Sequence, residues 1–388
     1  MKFSLKLTGV GIIFLVFFIT MQPLISQEKE TTESETPEPK FKAYPEVIPD
    51  SAVSKKGVFT THEVDNKLYY EIDARQLGKE FLWLTQYSKT QTSFGYGGTE
   101  VIRRVVRWER LQDQILLRNV EYQLRADQET PESIAVKASS VAEIIKAFKI
   151  LTFGKDKSPV IEVTGLFTED THEFSPKENL DASDIDKART FITSVKNFEK
   201  NIETVVLATY KRKPTKPEES SGRRERPFPE HSDPSLGSVT VELHHSMILL
   251  PEKPMQPRLF DERVGFFAGT HEDYSSDKHQ VETVKYIRRW RLEKKNPDLP
   301  VSEPVKPIVY YVGRGIPAKW HKYIIEGIEM WQPVFEAAGF KNAIQGKLAP
   351  TKEENPDFDA EDVRYSTVRW LPSTIANAYG PHVQDPRT

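Results

Sequence analysis

Two adjacent imidazoles, His244 and His245, followed at once by the hydroxyl of Ser246, are the densest group of potentially reactive side chains in the sequence. A histidine pair does chemistry by holding a metal or moving a proton, and each role demands a spacing. A zinc-binding H-E-x-x-H places two imidazoles one helical turn apart, with the glutamate beside the metal-bound water. None of the nine histidines, at 62, 172, 231, 244, 245, 271, 279, 321 and 382, recurs at that interval. Neighbours on a strand point to opposite faces, so His244 and His245 are expected to be structural and not to share one ion. His62-Glu63 and His271-Glu272 lack a second histidine and are expected at the surface, on strand or turn edges. His321 is expected at the rim of a helix's apolar face, and His382 has no partner near it in sequence. Ser246 beside two histidines does not make a triad, and no G-x-S-x-G elbow occurs. Gly95-Tyr96-Gly97-Gly98 lacks the Lys-Ser/Thr of a phosphate loop and reads as a hairpin turn. The acidic residues Glu353, Glu354, Asp357, Asp359, Glu361 and Asp362 lack the Gly and terminal Glu of a calcium loop, so a solvated linker is expected there.

The elements that would position these groups are mainly strands. Residues 57–73 alternate apolar and polar around Asp65-Asn66, which predicts a hairpin. Residues 81–87 read as a buried strand, and 101–110 and 114–122 as a second hairpin turning at Gln112-Asp113. Val105, Trp108, Ile115, Leu117 and Val120 are its expected inner face. Helices are predicted over 141–151, from the spacing of Ala142, Ile145, Phe148 and Leu151, and over 188–198. Strands are expected at 159–167, 203–210, 237–250 and 279–293, with a Pro/Ser-rich surface loop at 213–234. After the proline cluster 294–307 the pattern changes. A strand at 305–312 precedes a helix over 317–338 that is interrupted at Pro333 and stopped by Gly339, and 362–370 reads as a further strand. The fold class expected is mixed α+β: a mainly antiparallel β body with a few helices, then the start of an α/β unit.

Composition narrows the function. Hydrophobic residues make up 38% of the 388 and aromatics 11%, enough for substantial cores. There is no cysteine, so neither disulfides nor thiolate zinc sites are available. The net charge of -3, from 54 Lys and Arg against 57 Asp and Glu, argues against a nucleic-acid partner, which needs a clustered basic surplus. Lys2 and Lys6 before the apolar run 10–21 predict a secretory signal over 1–26, cleaved before Gln27. That run is shorter than the roughly 20 residues that cross a bilayer. An exported protein is therefore expected, in the periplasm, on the outer surface or secreted, with no membrane span after cleavage. Residues 27–43 are expected to be a flexible leader.

Several stretches together resemble one family. Ser51-Ala-Val-Ser-Lys-Lys-Gly-Val-Phe, Lys79-Glu-Phe-Leu-Trp-Leu, Ser246-Met-Ile-Leu-Leu-Pro, the run from Pro254 to Gly265 and Tyr286 to Glu293 are similar to exported bacterial zinc-dependent metalloproteases of the metzincin-like kind. Glu326-Gly-Ile-Glu-Met-Trp, Ala337-Ala-Gly-Phe, Asp362 to Trp370 and Asp385-Pro-Arg-Thr continue the likeness in order. The resemblance implies two N-terminal domains of unknown function, at 44–90 and 91–294, and the start of a metalloprotease domain at 305–388, truncated before its zinc helix. It implies zinc as the family's cofactor and a peptide or protein as substrate. No catalytic or metal-binding residue carries over, so no zinc is expected on this chain. By analogy of fold, Arg369 and Tyr365 on the strand 362–370 are expected to support a substrate-binding edge. The rival expectation is a non-enzymatic β-rich module that binds a partner or regulates a protease.

Overall fold

In the computed structural model the described residues are 40–91, 97–127, 130–213, 237–275, 279–371, 378–381 and 383–388. The expected signal peptide, nearly all of the leader and of the 213–234 loop, Gly95-Tyr96 and His382 lie outside them.

Turn chemistry and period-two alternation build most of the chain. Helix α1 (Tyr44–Val47) precedes β1 (Val53–Lys56), β2 (Thr60–Val64) and β3 (Lys67–Glu71). Asp65 and Asn66 join β2 to β3 with φ of 47° and 63°, the left-handed pair of a type I′ turn. Next come β4 (Glu80–Thr90), β5 (Glu100–Leu111) and β6 (Gln114–Val120), the last two turning at Gln112 with φ 53°. Short β7 (Leu124–Arg125) leads to α2 (Pro131–Ser139), whose first turn is capped by Thr130 Oγ1 accepting from the Ser133 amide at 3.2 Å.

Residues 141–151 are not helical. They hold β8 (Ile144–Lys149), which pairs with the open edge of β6, and Ile144, Ile145 and Phe148 suit a pleated surface as well as a helix face. The chain continues through β9 (Thr152–Phe153) and β10 (Pro159–Glu162). The strand expected over 159–167 stops there and turns into α3 (Thr164–Thr168), which brings Phe167 onto Trp83. After β11 (Ala182–Ile185), the helix expected over 188–198 is instead β12 (Phe191–Asn197). It forms a hairpin with β13 (Asn201–Arg212), closed by the Phe198 amide donating to Asn201 O at 2.8 Å. Then come β14 (Ser238–Leu249), β15 (Ala268–Asp273) and β16 (Glu282–Ile287), the last shorter than 279–293. Past the prolines lie β17 (Ile308–Val312), α4 (Ala318–Glu329), α5 (Gln332–Ala337), β18 (Ile344–Leu348) and β19 (Ser366–Val368). The long helix breaks between α4 and α5, with Pro333 in the first turn of the second piece, and ends at Gly339 with φ 89°.

Among the described residues the strands assemble into four sheets. An antiparallel sheet runs β11-β13-β14-β4-β5-β6-β8, with β12 also on β13; a second runs β1-β2-β3-β10-β9. A small sheet runs β16-β15-β7, and a parallel one β18-β17-β19. The class is mixed α+β and mainly antiparallel. The two large sheets share strands from distant segments: β4 sits between β14 and β5, and β9 and β10 complete the sheet begun by β1–β3.

One large core lies between these sheets, built on Phe59, Tyr70, Phe81, Trp83, Trp108, Ile115, Leu117 and Val206. Burying each such side chain contributes about 1.5–3 kcal/mol. The expected inner face was partly misassigned. Trp108, Ile115 and Leu117 do face this core, but Val105 and Val120 pair with each other on the opposite side, beside Leu82 and Leu250. Positions 105 and 108 differ by an odd number, so a strand must separate them.

Candidate functional site

The strand expected to offer a substrate edge, 362–370, contracts to Ser366–Val368, which pairs in parallel with β17 and forms one end of its sheet. The residues before it are a turn, tightened by Arg364 on Asp362, its Nη2 2.6 Å from Oδ2. Tyr365 lies in an aromatic group, 5.5 Å from the Tyr311 ring and 4.8 Å from Phe358, so it packs the sheet onto its loop. Arg369 is exposed, and its Nη2 donates to Ala360 O at 3.1 Å. The structure therefore places the two residues in one short segment with different duties.

This segment is fastened to the antiparallel body. Lys196 on β12 lies 2.9 Å from both Asp359 and Glu361. Asn201 on β13 donates to Glu361 O at 2.8 Å and accepts from the Val363 amide at 3.1 Å. Asp362 is buried. The acidic stretch was expected to be a solvated linker; its second half is instead the joint, because Lys196 and Asn201 offer partners that spacing alone could not reveal.

Beneath the joint sits a buried carboxylate. Positions 201 and 203 of β13 and 244 and 246 of β14 fall on one face, and Glu203 stands directly across from Ser246. Ser246 Oγ donates to Glu203 Oε2 at 2.5 Å, His244 Nε2 lies 2.8 Å from that same oxygen, and Asn201 Nδ2 donates to Oε1 at 2.5 Å. Burial works against a charged His244, yet the Glu203 carboxylate outweighs it and raises the imidazole's pKa above its ordinary 6.5, with Glu361 helping and Arg369 opposing. Ser, His and Glu thus meet, but the hydroxyl gives its proton to the carboxylate and not to the imidazole. The imidazole and the hydroxyl both end on the carboxylate, so this group is arranged as an ion-pair lock. Glu203 was missed in the sequence because only the β13–β14 register brings it opposite His244 and Ser246.

His245 points the other way, as alternation requires. Its Nδ1 lies 3.0 Å from Thr85 Oγ1, its ring sits among Trp83, Phe167 and Phe174, and burial pushes its pKa down to about 3. His62 and His271 correct the expectation of surface residues: each is 3% exposed, His62 because its sheet carries apolar clusters on both faces and His271 because its ring packs 4.8 Å from that of Tyr286 on the covered face of its sheet. His321 Nε2 lies 2.7 Å from Ile316 O, at the start of α4. Zinc needs three nitrogen or oxygen ligands converging on one point. Among the described residues no three His, Asp or Glu do so, and the residues present do not fit a zinc site. Also among them, no helix is long and apolar enough to cross a membrane.

The last described segment returns to the body as well. Arg387 pairs with Asp385 at 2.7 Å and Glu80 at 3.3 Å and donates to Pro251 O at 2.7 Å, while Arg125 donates to Pro386 O at 2.5 Å.

His244 makes the lock pH-dependent. A folded-state pKa raised above 6.5 gives stability that is complete below about pH 6.5 and is lost as pH rises through the raised value. His244→Gln should flatten that decline. Urea midpoints measured from pH 5 to 9 on both proteins test it, and parallel curves would rule it out.

A family model described as a domain of unknown function, DUF5117, matches residues 98–295, and a second, DUF5118, matches residues 41–90. No curated protein and no solved structure matches the chain.

Proposed function

We propose, from the premise that this chain belongs to the DUF5117 family, with a DUF5118 segment preceding it, that it is the front part of an exported zinc-dependent metallopeptidase. In this reading the β body carries the opening strands of the catalytic α/β unit. Peptide-bond hydrolysis by zinc-activated water belongs to ligands that this sequence does not contain, so this chain alone does not carry out that reaction. The observation that supports the reading is the joint: a parallel β18-β17-β19 sheet, backed by α4, whose loop 359–363 is held to the antiparallel body through Lys196 and Asn201. The unpaired side of β19, with Arg369 beside it, suits an extended peptide adding as a strand. The test is the genomic sequence after codon 388, read in all three frames. An H-E-x-x-H within a helical pattern supports the proposal; unrelated sequence in every frame overturns it.

One observation favours a second reading, a non-enzymatic module that binds a protein partner. Helices α4 and α5 and the two residues between them expose Tyr323, Met330, Trp331 and Val334, each more than half accessible, an apolar surface of the kind that another polypeptide covers. A chain ending before Pro307 that folds but loses a partner bound by the whole chain would place the binding surface on these helices and favour this alternative; retained binding would count against it.

A further inference from the structure

On the five-stranded sheet, alternation puts Ser54, His62, Tyr69 and Glu71 on one face, where α1 and its neighbours also pack. Ser54 stands directly across from His62, and Tyr69 across from His62 on the other side. Ser54 Oγ lies 2.7 Å from His62 Nδ1, and His62 Nε2 lies 3.2 Å from Glu71 Oε2. Tyr44 donates its hydroxyl to that same carboxylate oxygen at 2.8 Å. A Cβ on Gly154 would lie 2.1 Å from Glu71 Oε1, so the missing side chain at 154 leaves the carboxylate its place.

The order of these contacts decides the chemistry. Burial pushes the Glu71 carboxyl up, but hydrogen bonds from His62 and Tyr44 and the charge of Lys56 outweigh it and hold the group below the usual carboxylate range. An ionised carboxylate only accepts hydrogen bonds. His62 Nε2 therefore carries a proton, and in the neutral imidazole Nδ1 then presents its lone pair to the Ser54 hydroxyl. In the Glu203 group both the hydroxyl and the imidazole end on the acid; here the imidazole stands between them. His62 is 3% exposed and fixed at both nitrogens, whereas Ser54 is exposed on β1, the outermost strand of its sheet.

We propose that Ser54 is a nucleophile, with His62 as its general base and Glu71 as the positioning carboxylate, acting on carboxylic esters and activated phosphonyl compounds. This stands independently of the metallopeptidase reading. Ser54 Oγ forms a bond to the acyl carbon as its proton passes to His62 Nδ1. The carbon–oxygen bond to the leaving alcohol breaks, and His62 returns the proton to that oxygen. Water, deprotonated in turn by His62, then attacks the acyl carbon, the bond to Ser54 Oγ breaks, and His62 returns the proton to Oγ as the acid leaves. Glu71 holds the imidazole in place and stabilises its cation without taking the proton. The steps rest on three side chains alone, and an oxyanion donor is worth about 10²–10³ in rate. Labelling by a reactive electrophile is therefore a more sensitive readout than turnover.

The experiment treats the whole chain with a fluorophosphonate. The phosphorus–oxygen bond to Ser54 forms, fluoride leaves, and the proton passes through His62 to solvent. Mass spectrometry should find the adduct on the peptide containing Ser54, and Ser54→Ala should remove it without changing the fold. His62→Gln should slow that labelling by at least about 100-fold, the contribution of a positioned base. Should that variant fail to fold, Glu71→Gln decides: it should slow labelling, and Glu71→Asp should restore part of the rate. An unmodified Ser54, or the same labelling rate in a folded His62→Gln or Glu71→Gln protein, overturns the proposal.

Discussion

Glu203→Ala should lower the stability of the chain by about 3–5 kcal/mol, the usual consequence of removing one member of a buried charge pair. The side chain is almost completely buried, and its two oxygens serve Ser246, His244 and Asn201. Alanine leaves an imidazole whose cation has lost its counter-charge and two polar groups without their acceptor. Glu203→Gln keeps an acceptor and should lose less. The damage should spread unevenly, because Asn201 also receives the Val363 amide and binds Glu361 O. Hydrogen exchange at Val363 should therefore accelerate more than exchange in β4 or β5. A Glu203→Ala protein within about 1 kcal/mol of wild type, with Val363 still protected, would show that the lock holds little.

Trp83→Ala should cost a similar amount, about 3–5 kcal/mol, by a different cause. The indole is 1% exposed, stacked on Phe174 at 4.5 Å and on Phe167 at 5.8 Å, with Nε1 donating to His245 at 3.4 Å. Its removal opens a cavity beneath α3 and the turn His172–Phe174, whose only way to refill it is to collapse onto the sheet. Trp83→Phe keeps a ring between the two phenylalanines and should recover most of the loss. Here the whole sheet should weaken together, so the urea midpoint falls and exchange rises across β4, β5 and β14. A change confined to α3 would mean that this corner is not part of the main cooperative unit.

Local chemistry was readable where it depends on neighbours in sequence. Asp65-Asn66 named its own turn, Pro333 and Gly339 named the break and end of the long helix, and the adjacency of His244 and His245 foretold their opposite faces. Failure came where pairing decides. The sets around 141–151 and 188–198 satisfy a helix spacing, but the open edges of β6 and β13 take them as strands. His62 and His271 looked superficial because a run of alternating residues does not say which faces of its sheet are covered. Arg369 and Tyr365 came from resemblance, and the structure assigns one to solvent and the other to packing. The lock around Glu203 and the Ser54–His62–Glu71 chain both depend on cross-strand register, which short-range patterns cannot contain.

The position of β4 between β5 and β14 has a consequence for the order of assembly. Trp83 and His245 are 162 residues apart in the chain, yet they lie on paired strands. The β5–β6 hairpin can form early on β4, but the other edge of β4 stays bare until residues 238–249 emerge from the ribosome. Closing so long a loop is slow, and a bare apolar strand edge is where chains associate wrongly. The newly made protein is therefore most vulnerable to aggregation between synthesis of the first hairpins and synthesis of β14, and a chaperone that shields strand edges would act in that interval.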